Sequence, residues 1–185
     1  MSSNSITTKE TVCLPKRIES KGYVYEDKFK KIEKFVVEFD GFTKEYFVSD
    51  FGQKAAMLVI QNNHILFVRQ YRLLINDLSY EIPGGLIDAN ESPKEAAIRE
   101  CYEETGVKCI SAVKLINYNP DLEYERNPTH IYYTDQISEE ADFGIKQKIW
   151  LPFEDCMNMV FSGIISDSLS IIGLLTFQYQ YKRKK

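Results

Sequence analysis

Long apolar runs are missing from this 185-residue chain. No stretch of 18 consecutive apolar residues occurs, and the N-terminus lacks the apolar core of a signal peptide. The four cysteines, Cys13, Cys101, Cys109 and Cys156, show neither CxxC nor metal-ligand spacing, which is typical of reduced thiols in a cytoplasmic protein. We therefore expect a cytoplasmic protein with no membrane-spanning segment and no membrane partner.

Basic clusters are also scarce. The net charge is −4, and the most basic stretch is the short terminal run Tyr181–Lys185. Because binding to a phosphate backbone needs clustered lysine and arginine, the composition argues against nucleic acid as a partner. Apolar residues make up 44% of the chain and aromatic residues 13%, which is enough for the core of one domain with a small appendage.

The most informative segment is Gly85–Val107, which reads GLIDANESPKEAAIRECYEETGV. It holds Glu100, Glu103 and Glu104, which are neighbours on a helix and repel one another by roughly a few tenths of a kcal/mol per pair. Arg99 can face Glu103 at i+4, but one arginine does not neutralise three glutamates. The remaining negative charge indicates a hard divalent cation such as Mg²⁺, which binds carboxylates together with substrate phosphates.

The same segment predicts a helix from about Pro93 to Thr105. Ser92 is the expected N-cap, Pro93 occupies the first helical position, and Glu95 is the reciprocal partner of a capping box. Gly106 lies where a left-handed C-terminal cap belongs. The helix therefore has well-defined ends and carries the carboxylates in its second half.

Strands are predicted on both sides of this helix. Two β-rich runs within Ile32–Val48 flank the turn signal Asp40-Gly41, and a second hairpin joins Ala55–Ile60 to Ile65–Val68. Further strands are expected at Ser79–Ile82, Ala112–Tyr118, His130–Thr134 and Lys146–Leu151, and helices at Phe153–Phe161 and Asp167–Tyr181. Residues 1–12 are polar and are predicted to form a flexible tail.

The spacing of eight residues resembles the Nudix box, G-x5-E-x7-R-E-U-x-E-E-x-G-U, in which U is a bulky aliphatic residue. The matching positions are Gly85, Glu91, Arg99, Glu100, Glu103, Glu104, Gly106 and Val107. The one departure is Cys101 at the first U position, a small residue that still suits packing. The resemblance implies a Nudix hydrolase.

Outside the box, the chain resembles one branch of that family, the ADP-ribose pyrophosphatases and related nucleoside-diphosphate-sugar hydrolases. The segments that carry this likeness are Gln70-Tyr71-Arg72, Glu81-Ile82-Pro83-Gly84-Gly85, Pro120 and Ser162–Asp167. The longer segment Pro120–Pro128 departs from the family, because it stands where an S-P-G turn usually helps to shape the substrate pocket.

The resemblance implies an α+β fold, the Nudix α/β/α sandwich, with a mixed sheet between helices. Residues 54–185 would form this domain, and residues 13–53 would form a small N-terminal antiparallel β subdomain used in dimerisation. Homodimers that exchange N-terminal strands are usual in the branch, and each site then uses groups from both chains. A small number of N-terminal strands fits this expectation, because so few strands make a weak sheet.

For the site, the box implies Mg²⁺, with Mn²⁺ as a possible substitute. The expected metal ligands are Glu100, Glu104, Glu103 and the Gly84 carbonyl. Glycines at positions 84 and 85 let the backbone come close to the metal. Arg99 is expected to orient the carboxylates through charge-assisted hydrogen bonds, with Glu91 as a further partner.

The general base is predicted in the acidic loop of residues 138–142, at Glu140 with Glu139 as the alternative. Arg99 and Glu103 complete the predicted catalytic set. The residues predicted to contact substrate are Arg72, Gly85, Tyr80, Glu81 and Pro120, and the candidates for stacking on a nucleobase are Phe42, Tyr46 and Tyr80.

The expected activity is Mg²⁺-dependent hydrolysis of the pyrophosphate bond of a small nucleotide sugar, with ADP-ribose giving AMP and ribose 5-phosphate. A second interpretation keeps the chemistry but changes the substrate to GDP-mannose, another nucleotide sugar or a dinucleotide polyphosphate. A third is a nucleotide-sensing Nudix domain without catalysis. Sensing domains normally lose box glutamates, and all of them are present here.

Overall fold

The computed structural model describes residues 13–28, 30–140 and 147–182. In chain order the elements are β1 (Arg17–Glu26), β2 (Lys31–Glu38), β3 (Thr43–Asp50), β4 (Lys54–Gln61), β5 (His64–Arg72), β6 (Asp77–Glu81), β7 (Gly84–Leu86), α1 (Pro93–Thr105), β8 (Val107–Cys109), β9 (Val113–Tyr118), β10 (Glu125–Arg126), β11 (Thr129–Thr134), β12 (Ile137–Glu140), β13 (Lys148–Pro152), α2 (Phe153–Phe161), α3 (Ser168–Phe177) and a π-helical turn (Gln178–Lys182). The described residues divide into two compact units. One holds the described residues up to Phe51 together with Glu123–Glu125, and the other holds Gly52–Leu122 together with the described residues from Arg126 onward.

The N-terminal unit is a sheet with the strand order β1-β2-β3-β10, in which the pairs β1–β2 and β2–β3 are antiparallel. The predicted hairpin at Asp40-Gly41 is confirmed: Gly41 has a φ of 87°, and Phe39 and Phe42 stack across the turn at 4.8 Å. Strand β1 was not predicted, because charged residues and a glycine interrupt its pattern. The predicted flexible tail, residues 1–12, lies outside the described residues.

The segment that departs from the family pattern contributes to this N-terminal sheet. The Lys44 ammonium forms an ion pair with Glu123, and the Ser49 amide donates a 2.8 Å hydrogen bond to the Tyr124 carbonyl. Residues 123–125 therefore belong to the N-terminal unit, and strand β10 is the fourth strand of its sheet.

The second unit contains a mixed sheet with the strand order β13-β5-β4-β11-β9; β6 pairs with β5 and β7 with β4. Strands β4 and β11 are parallel, whereas β4 and β5 form the predicted antiparallel hairpin. Its two-residue turn, Asn62-Asn63, has positive φ at both residues, which matches the twist of a hairpin. Strands β8 and β12 form a separate pair.

Alternate residues of β4 supply the cores on the two faces of this sheet, because side chains along a strand point to opposite faces. Ala55, Met57 and Val59 belong to the core that includes Ala97 of helix α1. Leu58 belongs to the other core, which α2 and α3 cover. The α/β/α sandwich with a mixed sheet is confirmed.

The helix predictions agree closely with the structure. Helices α1 and α2 have the predicted bounds, Pro93–Thr105 and Phe153–Phe161. The last helix was predicted too long at both ends, because Asp167 caps α3 through the Ser170 amide and Gln178 begins the π-helical turn. Within the described ranges, no helix combines the length and apolarity needed to cross a membrane.

Candidate active site

The predicted caps of helix α1 are confirmed. The Ser92 hydroxyl accepts a hydrogen bond from the Glu95 amide at 3.3 Å, and the Glu95 carboxylate accepts one from the Ser92 amide at 2.9 Å. At the other end Gly106 has a φ of 72°, the left-handed cap. Cys101 is fully buried, so it fills the apolar position of the box, and the four cysteines are free thiols.

Arg99 organises most of the carboxylates. Its Nε and Nη2 atoms donate to the two oxygens of Glu91 at 2.9 and 2.8 Å, and its Nη1 atom donates to Glu100 at 2.7 Å and to Glu103 at 3.2 Å. The Nη2 atom also donates to the Leu86 carbonyl at 3.0 Å. Arg99 accordingly holds the pKa of Glu91 below its usual range, and the pKa of Arg99 itself is raised. Arg99 thus contacts the carboxylates that the sequence placed near it, and its role in catalysis stays a prediction.

Glu104 has a different environment. Its Oε2 atom accepts a hydrogen bond from the Gly84 amide and its Oε1 atom accepts one from the Gln70 side chain, both at 2.9 Å. In the described part of the chain no cation forms a salt bridge with it. Burial raises the pKa of Glu104, the carboxylates of Glu100 and Glu81 add to the rise, and the two N–H donors oppose it.

The two glycines before the helix allow close approaches of different kinds. A Cβ atom on Gly85 would lie 2.5 Å from the Glu100 carboxylate. A Cβ atom on Gly84 would lie 2.6 Å from both the Ala55 carbonyl oxygen and the Ala56 Cβ atom. Gly85 therefore leaves space for a carboxylate, whereas Gly84 allows β7 to pack on β4.

The donor set fits a hard divalent cation. Glu100 and Glu104 lie one helical turn apart beside the Gly84-Gly85 backbone, and Glu103 is the most open of the three, with 57% of its side chain exposed. Among the described residues no three His, Cys, Asp or Glu side chains stand in metal-ligand geometry. Arg99 binds Glu100 and Glu103, and the Gly84 amide binds Glu104. Oxygen donors of this type are those that Mg²⁺ prefers.

A cleft of about 460 Å³ opens beside the two glycines. Its lining residues are Lys54, Arg72, Leu73, Leu74, Ile75, Ser79, Glu81, Ile82, Gly84, Gly85, Ser166, Asp167 and Leu169. Three predicted substrate-binding residues, Arg72, Glu81 and Gly85, are thus brought together. The Arg72 Nε atom donates to Glu81 at 2.7 Å, and the Arg72 Nη2 atom donates to the other Glu81 oxygen. Arg72 and Glu81 therefore form a bidentate ion pair in this structure.

The other residues predicted to contact substrate are not among those that line the cleft. Tyr80 points to the opposite side of β6 from Ser79 and Glu81, and its ring lies 5.1 Å from the Arg69 guanidinium. Pro120 is exposed after β9 and does not line the cleft. In the N-terminal unit Phe42 stacks on Phe39, and the Lys44 ammonium lies over the Tyr46 ring at 4.3 Å.

The predicted acidic loop is in part a strand. Glu139 pairs with Lys108 and Glu140 with Val107, because Ile137–Glu140 forms β12 rather than a loop. The side chains of Glu139 and Glu140 and the whole of residues 141–146 lie outside the described part of the chain. The assignment of Glu140 or Glu139 as general base stays a prediction.

Two residues near the glycines, one of them in the cleft wall, were not predicted from the sequence. Lys54 lies at the start of β4 and Gln70 near the end of β5, so their proximity to the glycines depends on strand register. For Gln70 the sequence held one indication of a role in the site, its place before Tyr71 and Arg72 in the segment that resembles the family. Lys54 had no sequence signal.

Comparisons with known proteins find similar sequences and a similar fold. The NUDIX domain matches residues 52–161. The CMP-5'-(N-acetyl-N-hydroxy-3-aminopropyl)phosphonate hydrolase of Streptomyces rubellomurinus is 30% identical over 160 residues, 82% of this chain and 77% of that protein. The ADP-ribose pyrophosphatase of Mycobacterium tuberculosis is 28% identical over 138 residues, 69% of this chain and 65% of that protein. The crystal structure of an ADP compounds hydrolase superposes with a TM-score of 0.76 at 19% identity, over 93% of this chain and 95% of the other.

Proposed function

The chain belongs to the Nudix family as a pyrophosphohydrolase, and on that premise we propose that it hydrolyses the pyrophosphate bond of a nucleoside diphosphate sugar. The leading substrate is ADP-ribose, which would yield AMP and ribose 5-phosphate. The observation that best supports pyrophosphate hydrolysis is a half-buried carboxylate, Glu104, next to glycines that line a cleft with two cationic side chains.

The cleft is suited to a diphosphate. Lys54 is half-buried on its wall, and no carboxylate of the described residues forms an ion pair with it. Its ammonium is therefore available to a phosphate oxygen. Arg72 is positioned to make the same contact by exchanging its bond with Glu81, since an arginine fork binds phosphate as well as carboxylate.

Mg²⁺, or Mn²⁺ in its place, would be held by Glu100, Glu103, Glu104 and the Gly84 carbonyl, and would supply charge neutralisation of the phosphates and a lowered pKa of bound water. Arg99 keeps Glu100 and Glu103 oriented in this assignment. The proton of the attacking water would go to Glu140, with Glu139 as the alternative base. Glu103, an exposed carboxylate on α1, completes the proposed catalytic set.

The assembly proposed is a homodimer formed through residues 13–53 by exchange of N-terminal strands. The position of β1 supports it: among the described strands β1 is the outermost of its sheet, and an outer strand offers backbone donors and acceptors to a second chain. A small nucleotide is the proposed partner, without nucleic acid or membrane, and the proposed location is the cytoplasm.

A second substrate class has its own support. The Streptomyces relative is named for a CMP-phosphonate, a nucleotide joined to a group that is not a sugar. The same site would then cleave a nucleoside monophosphate from a phosphonate. GDP-mannose, other nucleotide sugars and dinucleotide polyphosphates are the remaining alternatives, and each leaves the metal and cation assignments unchanged.

The test is hydrolysis of a nucleotide panel with Mg²⁺, with products separated by chromatography. The panel holds ADP-ribose, GDP-mannose, UDP-glucose, NADH, a diadenosine polyphosphate, a CMP-phosphonate and the nucleoside triphosphates. We expect AMP and ribose 5-phosphate to appear fastest, from ADP-ribose. Faster cleavage of another compound would overturn the ADP-ribose assignment. No cleavage of any compound by folded protein would overturn the enzyme assignment and favour a nucleotide sensor.

A further inference from the structure

Glu104 is fixed by two neutral donors that come from different strands. The Gly84 amide belongs to β7 and binds Oε2, and the Gln70 side chain belongs to β5 and binds Oε1, each at 2.9 Å. Because each oxygen has its own donor, the carboxylate can neither rotate nor shift without losing a hydrogen bond. Gln70 pairs directly with Ser79, which lines the cleft.

The chemical type of the donor matters as much as its position. Glu91, Glu100 and Glu103 share the positive charge of Arg99, so part of their negative charge is neutralised. Glu104 has amide partners instead, which order it without supplying a full positive charge. A lysine or arginine at position 70 would form an ion pair there and compete with any cation.

The remaining acceptor capacity of Glu104 fits a metal ligand. An ionised carboxylate offers roughly four lone-pair sites, and two of them are used by Gly84 and Gln70. About one site on each oxygen is left for another partner. Outer-shell hydrogen bonds of this kind orient metal ligands, and their loss typically costs about 10- to 100-fold in metal affinity or activity.

We propose that Gln70 is a positioning residue that holds the Glu104 carboxylate ready for a divalent cation. This proposal rests on the proposed function, because that function is what makes a divalent cation the ligand of Glu104. Gln70 itself contacts neither the metal nor the substrate in this assignment, so its effect must pass through Glu104.

The first test measures metal binding without turnover. Mn²⁺ binding to the full-length protein without nucleotide is followed by electron paramagnetic resonance, for wild type, Gln70→Met, Glu104→Gln and the control Gln61→Met. Gln61 is a suitable control because it is also a half-buried glutamine whose amide donates a hydrogen bond, to the Asp135 carbonyl, outside the cleft. Gln70→Leu is prepared in case Gln70→Met does not fold, which thermal unfolding decides.

We expect Gln70→Met to weaken Mn²⁺ binding about 10- to 100-fold, Glu104→Gln to weaken it at least as much, and Gln61→Met to leave it within about twofold. Unchanged Mn²⁺ affinity in Gln70→Met, with Glu104→Gln impaired, would overturn the positioning role. Equal weakening by Gln61→Met would also overturn it, since the effect would then be general destabilisation.

The second readout separates a positioning role from a purely structural one. With a hydrolysed nucleotide, Gln70→Met should raise the Mg²⁺ concentration for half-maximal activity about 10- to 100-fold while the nucleotide KM at saturating Mg²⁺ stays within about twofold. A change in nucleotide KM alone would overturn the proposal. The Mn²⁺ measurement needs no turnover, so the proposed activity can fail while the role of Gln70 stands, and the reverse also holds.

Discussion

The adjacent glycines before helix α1 predict two different mutant phenotypes. In Gly85→Ala the new methyl group meets the carboxylate end of the Glu100 side chain rather than backbone, so the fold should survive and the carboxylate should move. A displacement of about 1 Å at a catalytic centre costs about 100-fold in rate. In Gly84→Ala the methyl group meets the Ala55 carbonyl, which cannot move freely, and overpacking of this kind costs about 1–3 kcal/mol. Turnover and urea denaturation of both variants check this. A larger loss of stability in Gly85→Ala than in Gly84→Ala would contradict it.

Lys54 is predicted to bind a substrate phosphate. Lys54→Met should raise the nucleotide KM about tenfold or more, because a hydrogen bond to a charged group contributes about 1.5–3 kcal/mol. Lys54→Arg should keep most of the affinity. The control is Lys94→Met, which removes an exposed lysine from the first turn of α1. Steady-state kinetics with the best substrate decides, and equal KM values for Lys54→Met and Lys94→Met would refute the assignment.

Glu91 gives a pH-dependent prediction. Its pKa is lower in the folded than in the unfolded chain, chiefly because of the hydrogen bond from Arg99. The stabilisation is therefore complete above the ordinary glutamate pKa of about 4.3 and is lost as pH falls through the folded value. The difference in unfolding free energy between wild type and Glu91→Gln should be larger at neutral pH than near pH 3. Urea denaturation at both pH values measures it, and a difference that does not shrink would count against the Arg99–Glu91 interaction.

At the residue scale, the side-chain contacts that could be predicted from the sequence were those between residues close together along the chain. The contacts of Arg99 with Glu91 and Glu103 followed from positions on one short segment, and both are present. The contacts of Gln70 and Lys54 depend on which residues of β4, β5 and β7 face each other. Spacing along the chain does not determine strand register, so neither residue was predicted.

At the element scale, the capping box of α1 gives a stability prediction. Ser92→Ala removes the hydroxyl that accepts from the Glu95 amide, and such caps contribute about 1 kcal/mol. The free energy of unfolding should fall by about this amount, while turnover at saturating substrate stays near wild type, because the carboxylates lie in the second half of the helix. Urea denaturation and turnover together check it. A loss of activity without a loss of stability would contradict it.

The elements that were missed share a physical reason. Strands β7, β8 and β10 have only two or three residues, which is too short for an alternating pattern to appear. Strand β12 reads ISEE, which is typical of a solvated loop, and its pairing with β8 comes from tertiary contact. Helix α1 was predicted to the residue because both of its caps are encoded locally.

At the scale of the whole molecule, the dimer is the main prediction. The protein should sediment at twice the 21.5 kDa of one chain. Ile18→Lys, on edge strand β1, should shift the mass towards the monomer, because Ile18 is 64% exposed and apolar there. Ile110→Lys is the matched control, since Ile110 is 62% exposed in the other unit. A monomeric wild type, or equal effects of both variants, would refute strand exchange.

Glu104→Gln tests the central claim most directly, because the variant keeps the shape of the side chain and removes its charge. ADP-ribose hydrolysis is measured for wild type and variant at saturating Mg²⁺ and again with excess EDTA. We expect wild type to release AMP and ribose 5-phosphate only with Mg²⁺. Folded Glu104→Gln should be at least about 100-fold slower, since metal-centred charge stabilisation is worth several kcal/mol. A variant with wild-type turnover at saturating Mg²⁺ would contradict the assignment of Glu104 as a metal ligand.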